Sequence, residues 1–332
     1  MRFKNETIPL SDIDSNDETY RITTETDVSE IAASIASIGL VNTPIFFKDS
    51  SRVIVVSGFR RIKACEALGL KEIEARVIGS DSSHFERVEI AVCENSLQRS
   101  LNLVEISRAL NLLFQCCRDV QTVAEKAAVL GLPANISVIN KIKDLCHCPG
   151  PVQDAVICGA ISLPIAQELG KMEQETSIIL SNILRDLKVG LNKQREIITM
   201  IKEIAERENL SLKEVLNHPE WRNIVNSNHM DITQKRMKIR KYLKQRRFPT
   251  LTRAETMFET YRKKLNLGTH INLIPPPYFE GNTFTFSIYF KNVAELERQL
   301  EKLTKITKDP NLLKIVGKYE VPEIKTNSNS PP

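Results

Sequence analysis

The feature that most restricts how this chain can fold is a change of hydrophobic period near residue 100. Before it, short alternating apolar runs are interleaved with segments of helical spacing. After it, apolar residues recur almost wholly at helical intervals as far as about residue 215. A sheet-bearing domain followed by an all-helical one satisfies that switch. The 332 residues leave room for a further small unit beyond them. The fold class expected is therefore α+β and multidomain.

Within the first hundred residues, Ile8-Pro9-Leu10 reads as a short strand. Val28, Ile31, Ala32, Ile35 and Ile38 mark a helix, with Thr26 or Asp27 as cap and Gly39 just past its end. Residues 44–47 and 53–56 read as two strands joined by a polar turn at Lys48-Asp49-Ser50-Ser51. A helix follows Gly58 and ends at Gly69, residues 73–78 form another strand, and helical spacing resumes from about Ser82 to Gln98.

Ser57-Gly58-Phe59-Arg60-Arg61 is a strand end, a glycine turn and a helix start. Helix N-termini offer free N–H groups and partial positive charge, and cations placed there are disfavoured. A bound polyanion removes that conflict; three solvated basic side chains, Arg60, Arg61 and Lys63, are the alternative. Glu94 and Asn95 supply hard oxygen donors suited to Mg2+ beside phosphates, and Arg99 suits a bidentate phosphate contact. A plain polar helix end explains the same residues. Arg21, in a polar loop, is a further possible phosphate contact.

The order of Arg21, SEIAASIASIGLVNTPIFF, SGFRRIKACEALGL, IEARV and ENSLQRSLNLVEISRAL resembles the N-terminal domain of the ParB family over about residues 5–110. The resemblance implies a ParB/sulfiredoxin-like α/β domain that binds CTP and Mg2+ and closes a clamp around DNA. It carries those roles to Gly58, Arg60, Arg61, Glu94, Asn95 and Arg99, and to Arg21, with Glu94 and Asn95 as metal ligands. One departure stands out. The family turn reads Gly-Glu-Arg-Arg, and here Phe59 replaces the Glu implicated in hydrolysis. Phe neither orients a water nor accepts a proton, so the expectation is a nucleotide hydrolysed slowly or not at all.

Residues 122–130 and 136–145 read as two helices joined by a turn containing Gly131. Ile136, Ile139, Ile142 and Leu145 mark a buried side of the second; Ser137, Asn140, Lys141 and Lys143 lie off it. That is helix-turn-helix spacing, with Asn135 at its start and Asn and Lys available to bases and phosphates. The resemblance continues through PVQDAVICGAISLPIAQEL, although the turn is longer than usual and Leu163-Pro164-Ile165-Ala166 replaces a frequent Gly-His-Ala.

Charge adds less than its placement. The net charge is +5, a mild excess, but Lys235 to Arg247 is strongly basic. That run is either a solvated helix or linker or a phosphate-tracking patch. Residues 269–303 resemble the family's small strand–strand–helix dimerisation domain, with hairpin halves at 270–274 and 283–290 and a helix over 293–303. No apolar run reaches the roughly 18 residues of a membrane span, and no signal core follows Met1. The seven cysteines are an odd number at irregular spacing, which suits reduced thiols in the cytoplasm. Cys146-His147-Cys148 with Cys158 invites a zinc site, but paired C-x-x-C spacing is missing.

These readings divide the chain into a nucleotide-binding domain (1–100), a helix-turn-helix domain (101–215), a basic helical linker (216–268), a ββα dimerisation domain (269–320) and a disordered tail (321–332). The leading function is a partition protein on double-stranded DNA, acting as a homodimer with a ParA-type ATPase. A helix-turn-helix transcription regulator that has lost its switch is the second. An enzyme on the same fold is the third, although a sulfiredoxin needs a Cys in the phosphate turn and this one has none.

Overall fold

The computed structural model describes residues 3–14, 16–48 and 52–317. The expected turn at Lys48–Ser51 and the expected tail fall largely or wholly outside them. Two compact units emerge, Met1–Ile198 with Leu212–Asn217, and Thr199–Ser211 with His218–Pro332.

The first unit opens with a four-stranded sheet in the order β1-β4-β2-β3, made of β1 (Phe3–Pro9), β2 (Ile45–Lys48), β3 (Val53–Ser57) and β4 (Glu72–Ile78). β1 and β3 run antiparallel to their neighbours, while β2 and β4 pair parallel. β1 is longer than the expected Ile8–Leu10 strand, and Leu10 belongs instead to a 3-10 turn. Strand alternation sends Phe46, Val53, Val55, Ile73, Ala75 and Val77 to one face, against Ile62 and Cys65 of α2 (Phe59–Ala67). α1 (Ser29–Ile38) lies beside α2 with its apolar residues only half-buried, and Ile38 stays exposed.

The other face carries Ile45, Val56 and Ile78 against Val88, Ala91 and Val92 of α3 (His84–Ser96). This core does not stop at the sheet. It continues without a break into α4 (Leu103–Cys116), α5 (Val120–Val129) and α6 (Ile136–Ile142), through Leu110, Leu113, Val123, Ala127 and Ile139. α3 and α4 each begin with a capping box, Ser83 with Glu86 and Asn102 with Glu105. α7 (Gly150–Ile157), α8 (Leu163–Leu169), α9 (Gln174–Leu187), α10 (Leu191–Glu208) and α11 (Leu212–Leu216) complete the helical stretch.

The second unit contains α12 (Pro219–Val225), α13 (Ile232–Arg247) and α14 (Pro249–Lys264). Trp221 and Ile224 pack with Ile239, Tyr242 and Leu243, the Trp221 and Tyr242 rings lying 5.8 Å apart. A hairpin of β5 (Ile271–Ile274) and β6 (Thr285–Ile288) follows, then α15 (Val293–Ile306) and α16 (Pro310–Val316). Phe258, Ile271, Leu273, Ile306, Leu312 and Ile315 form its core. The apolar side of α15 is covered only in part: Ile306 is buried, but Val293 and Leu300 are exposed, as are Tyr289 and Phe290 ahead of it.

Candidate functional site

The turn between β3 and α2 is built on a conformation that only glycine adopts easily. Gly58 has φ +100°, and a Cβ there would come within 2.9 Å of Pro44 Cβ. No side chain caps α2, so the first-turn N–H groups of Phe59, Arg60 and Arg61 face the cleft without a built-in acceptor.

The cleft holds about 490 Å3. Its walls are α1, the loop Gly39–Asn42, the turn Ser57–Arg61, and the end of α3 with Gln98 and Arg99 beyond it. Of the residues expected from sequence, Gly58, Arg60, Arg61, Glu94, Asn95 and Arg99 all line it. Arg21 does not. It forms an ion pair instead with Glu18, three residues before it. Asn95 turns its amide back to donate to the Ala91 carbonyl at 2.8 Å, leaving its oxygen as the available donor atom to a metal.

Each of the three cleft arginines already has protein partners. Arg60 donates to the Asp27 carbonyl at 2.7 Å and pairs with Glu25 at 3.0 Å, while its Nε is buried without an acceptor. Arg61 donates to the carbonyls of Asn42 and Thr43 at 2.9 and 3.2 Å and lies 3.8 Å from Glu94. Burial lowers the Arg61 pKa from its ordinary value, Glu94 opposing that and Arg76 adding to it. Arg99 makes a two-pronged contact with Glu105, at 2.7 and 2.8 Å.

Glu105 was not singled out from the sequence, where it sits at an ordinary first-turn position of α4. It is fully buried, and its carboxylate also accepts from the Thr24 and Asn102 backbone N–H groups at 3.0 and 3.1 Å. Burial alone would raise its pKa. The Arg99 fork, and then the Thr24 and Asn102 N–H groups, outweigh that and hold it below the usual carboxylate value. The one legible signal was Asn102-x-x-Glu105, which is a capping box.

The donor set fits a nucleotide polyphosphate. It combines an uncapped helix N-terminus, an arginine Nε lacking an acceptor, and two more guanidinium groups. Glu94 and the Asn95 oxygen fit Mg2+, which commonly takes one or two protein oxygens and completes its shell with phosphate and water. Among the described residues no three His, Cys, Asp or Glu side chains cluster as a metal site. Cys146 accepts from Asn111, which also bonds His147. Phe59 lines the cleft but packs into the core of the sheet's α2 face.

The second expected site lies on α5 and α6. Gly131, φ +71°, makes the turn between them. Asn135 is used as the cap of α6, its side-chain oxygen accepting from Ser137 and Val138 N–H. Ser137, Asn140 and Lys141 are exposed on α6, while Ile139, Ile142 and Leu145 are buried. Two positions differ from expectation. Ile136 is exposed because it opens the helix, and Lys143 lies past the end of α6, half-buried over the Phe114 ring.

Residues 3–96 match the ParB N-terminal domain family. A probable chromosome-partitioning protein ParB of Campylobacter jejuni is 28% identical over 197 residues, 57% of this chain and 69% of that protein. A C-terminally truncated ParB of Caulobacter crescentus has been solved with CTP-γ-S; it is 20% identical, covers 55% of this chain and 98% of its own, and gives a TM-score of 0.26. The same protein on a centromeric parS site is 17% identical with a TM-score of 0.32, at 58% and 97% coverage.

Proposed function

The chain belongs to the ParB family of chromosome- and plasmid-partition proteins, and from that premise we propose that it binds a centromere-like DNA site under the control of a nucleotide, CTP, held with Mg2+ in the N-terminal cleft. The observation that carries the reading is the meeting of Gly58, Arg60, Arg61, Glu94 and Arg99 on one cleft whose supporting core runs on into the helix-turn-helix pair. When bound, the nucleotide supplies a polyanion with a metal ion. The free N–H groups of α2, Arg60 and Arg61 hold its phosphates, and Glu94 and Asn95 hold the metal. Ser137, Asn140 and Lys141 of α6 face the DNA, Asn135 fixing the helix start; Lys143 serves from the edge of that surface.

The exposed Tyr289, Phe290, Val293 and Leu300 support homodimerisation through the C-terminal ββα piece. A ParA-type ATPase is the expected partner, and the nucleoid or a plasmid in the cytoplasm the expected location; no helix among the described residues is long and apolar enough to cross a membrane. Phe59 places an apolar ring where a base would act, so turnover is slow or absent. It also favours the second reading, a helix-turn-helix regulator without a switch.

Titration calorimetry with CTP, ATP and GTP in Mg2+ decides between them, with Arg60→Ala as control. The clamp reading expects selective CTP binding that the variant loses. Absence of binding by every nucleotide, with DNA present or not, leaves the switchless regulator.

A further inference from the structure

The basic character of this chain resides in one helix. α13 carries eight lysines and arginines and no aspartate or glutamate. Without it the chain has 38 basic against 41 acidic residues, so the net +5 depends on these sixteen positions.

The structure sorts seven of those eight cations into two groups, the eighth, Arg236, being half-buried between them. One group holds the second unit together. Arg246 makes a fork with Glu208 and donates to the Tyr242 hydroxyl, Arg247 pairs with Glu203 at 2.7 Å, and Lys235 donates to the Val225 carbonyl. These lie beside Ile239, Tyr242 and Leu243, which are buried. The other group faces outward: Lys238, Arg240, Lys241 and Lys244 are exposed, in company with Gln234 and Gln245. Lys238 and Lys241 have no ion-pair or hydrogen-bond partner among the described residues. Successive turns of this face sit about 4.5–6 Å apart along the axis, and a DNA duplex offers about one phosphate per 1.7 Å of its own axis.

We infer that the outward face of α13 is a second DNA-binding surface, separate from the helix-turn-helix, that grips the phosphate backbone without reading sequence. The inference rests on the proposed DNA-binding function. Charge complementarity selects the partner. A bilayer would call for an apolar side on the helix, and that side is committed to the core around Trp221. A specific acidic protein surface would be expected to meet several apolar anchors, and this face offers a single one, Met237, among lysine, arginine and glutamine. Polyelectrolyte binding needs no more than cations in a row.

The test is a salt titration of the full chain on random-sequence duplex DNA, wild type beside Lys238→Ala/Lys241→Ala. Both side chains are exposed and unpartnered, so the variant keeps the wild-type melting temperature. Loss of two phosphate contacts makes the slope of log affinity against log salt shallower by about 1.8. The affinity gap between the two proteins then narrows roughly twelvefold from 50 to 200 mM salt. An unchanged slope overturns the role of α13 and leaves the helix-turn-helix reading standing. Wild type without duplex affinity overturns both. Binding to phosphatidylserine vesicles that the variant loses, with the DNA slope unchanged, assigns the face to lipid and overturns the inference.

Discussion

The cleft and the outward face of α13 both gather cations, and they do so in opposite ways. In the cleft each arginine is already engaged: Arg60 with Glu25 and the Asp27 carbonyl, Arg61 with two carbonyls and near Glu94, Arg99 with Glu105. On α13, Lys238 and Lys241 have no counter-ion among the described residues. A ligand entering the cleft has to compete with partners the protein supplies, so occupancy depends on ligand charge and concentration. The α13 face has few such competitors, and its attraction for phosphates is set by salt alone. One region is conditional and the other standing, a division that agrees with the proposed nucleotide-controlled grip on DNA beside a weaker, constant hold.

Removing the strongest internal partner breaks the comparison most sharply. Glu105→Ala leaves two half-buried N–H groups, of Thr24 and Asn102, without acceptors and Arg99 without its fork. The expected loss is about 2–3 kcal/mol, less than for a fully enclosed pair because Arg99 is partly solvated. In a melting experiment that is a fall of roughly 4–12 °C. Glu105→Gln adds a pH test. A carboxylate held below its ordinary value of 4.5 stabilises the fold above that pH and loses the contribution as pH falls through the depressed folded value. Wild type should therefore lose stability on acidification below about pH 4.5 more steeply than the Gln variant; parallel curves would remove Glu105 as the cause.

Gly58→Ala comes next. The new methyl meets Pro44 at 2.9 Å on a backbone with φ +100°. A destabilisation of about 1–2 kcal/mol follows, and nucleotide affinity falls with it as the turn shifts. Unchanged calorimetric binding in a folded Gly58→Ala protein would separate the turn from the site.

The smallest effect sharpens the other side of the comparison. Lys244 spends its charge on Glu255 at 2.8 Å, across the surface. Glu255→Gln should change stability by less than about 0.5 kcal/mol. It frees one more cation, and the salt slope on duplex DNA should steepen by up to about 0.9.

Much of this was legible in the sequence, and what was not has identifiable causes. The Gly58 turn, the α2 start and the α5–α6 pair follow from local chemistry: a glycine where φ must be positive, apolar residues at helical spacing, Asn and Asp caps. The cleft residues could be named because they fall in two short segments, 58–61 and 94–99. Glu105 could not, because burial of a carboxylate is decided by Thr24 and Asn102, which reach it from elsewhere in the chain. Arg21 lies outside the cleft for the converse reason, Glu18 three residues earlier claiming its charge. In α13 the apolar positions Ile239, Tyr242 and Leu243 are few among many charges, so the run's two classes of cation stay hidden until Trp221 is seen to pack there. The strand β1 was read too short because Lys4, Asn5 and Glu6 carry no apolar alternation; pairing with β4, rather than its own side chains, makes it a strand.

That pairing also sets an order in time. Synthesised from the N-terminus, β1 emerges roughly sixty residues before β4 exists to receive it. Until then it must neither collapse nor recruit another chain, since unpaired strand edges are aggregation templates. Its side chains suit the wait: apart from Ile8, none of them is buried even in the finished sheet. The polarity that conceals the strand from a pattern search thus also leaves it little apolar surface to lose to a wrong partner, and the sheet is completed at its β1 edge by a closure of long range and correspondingly slow approach.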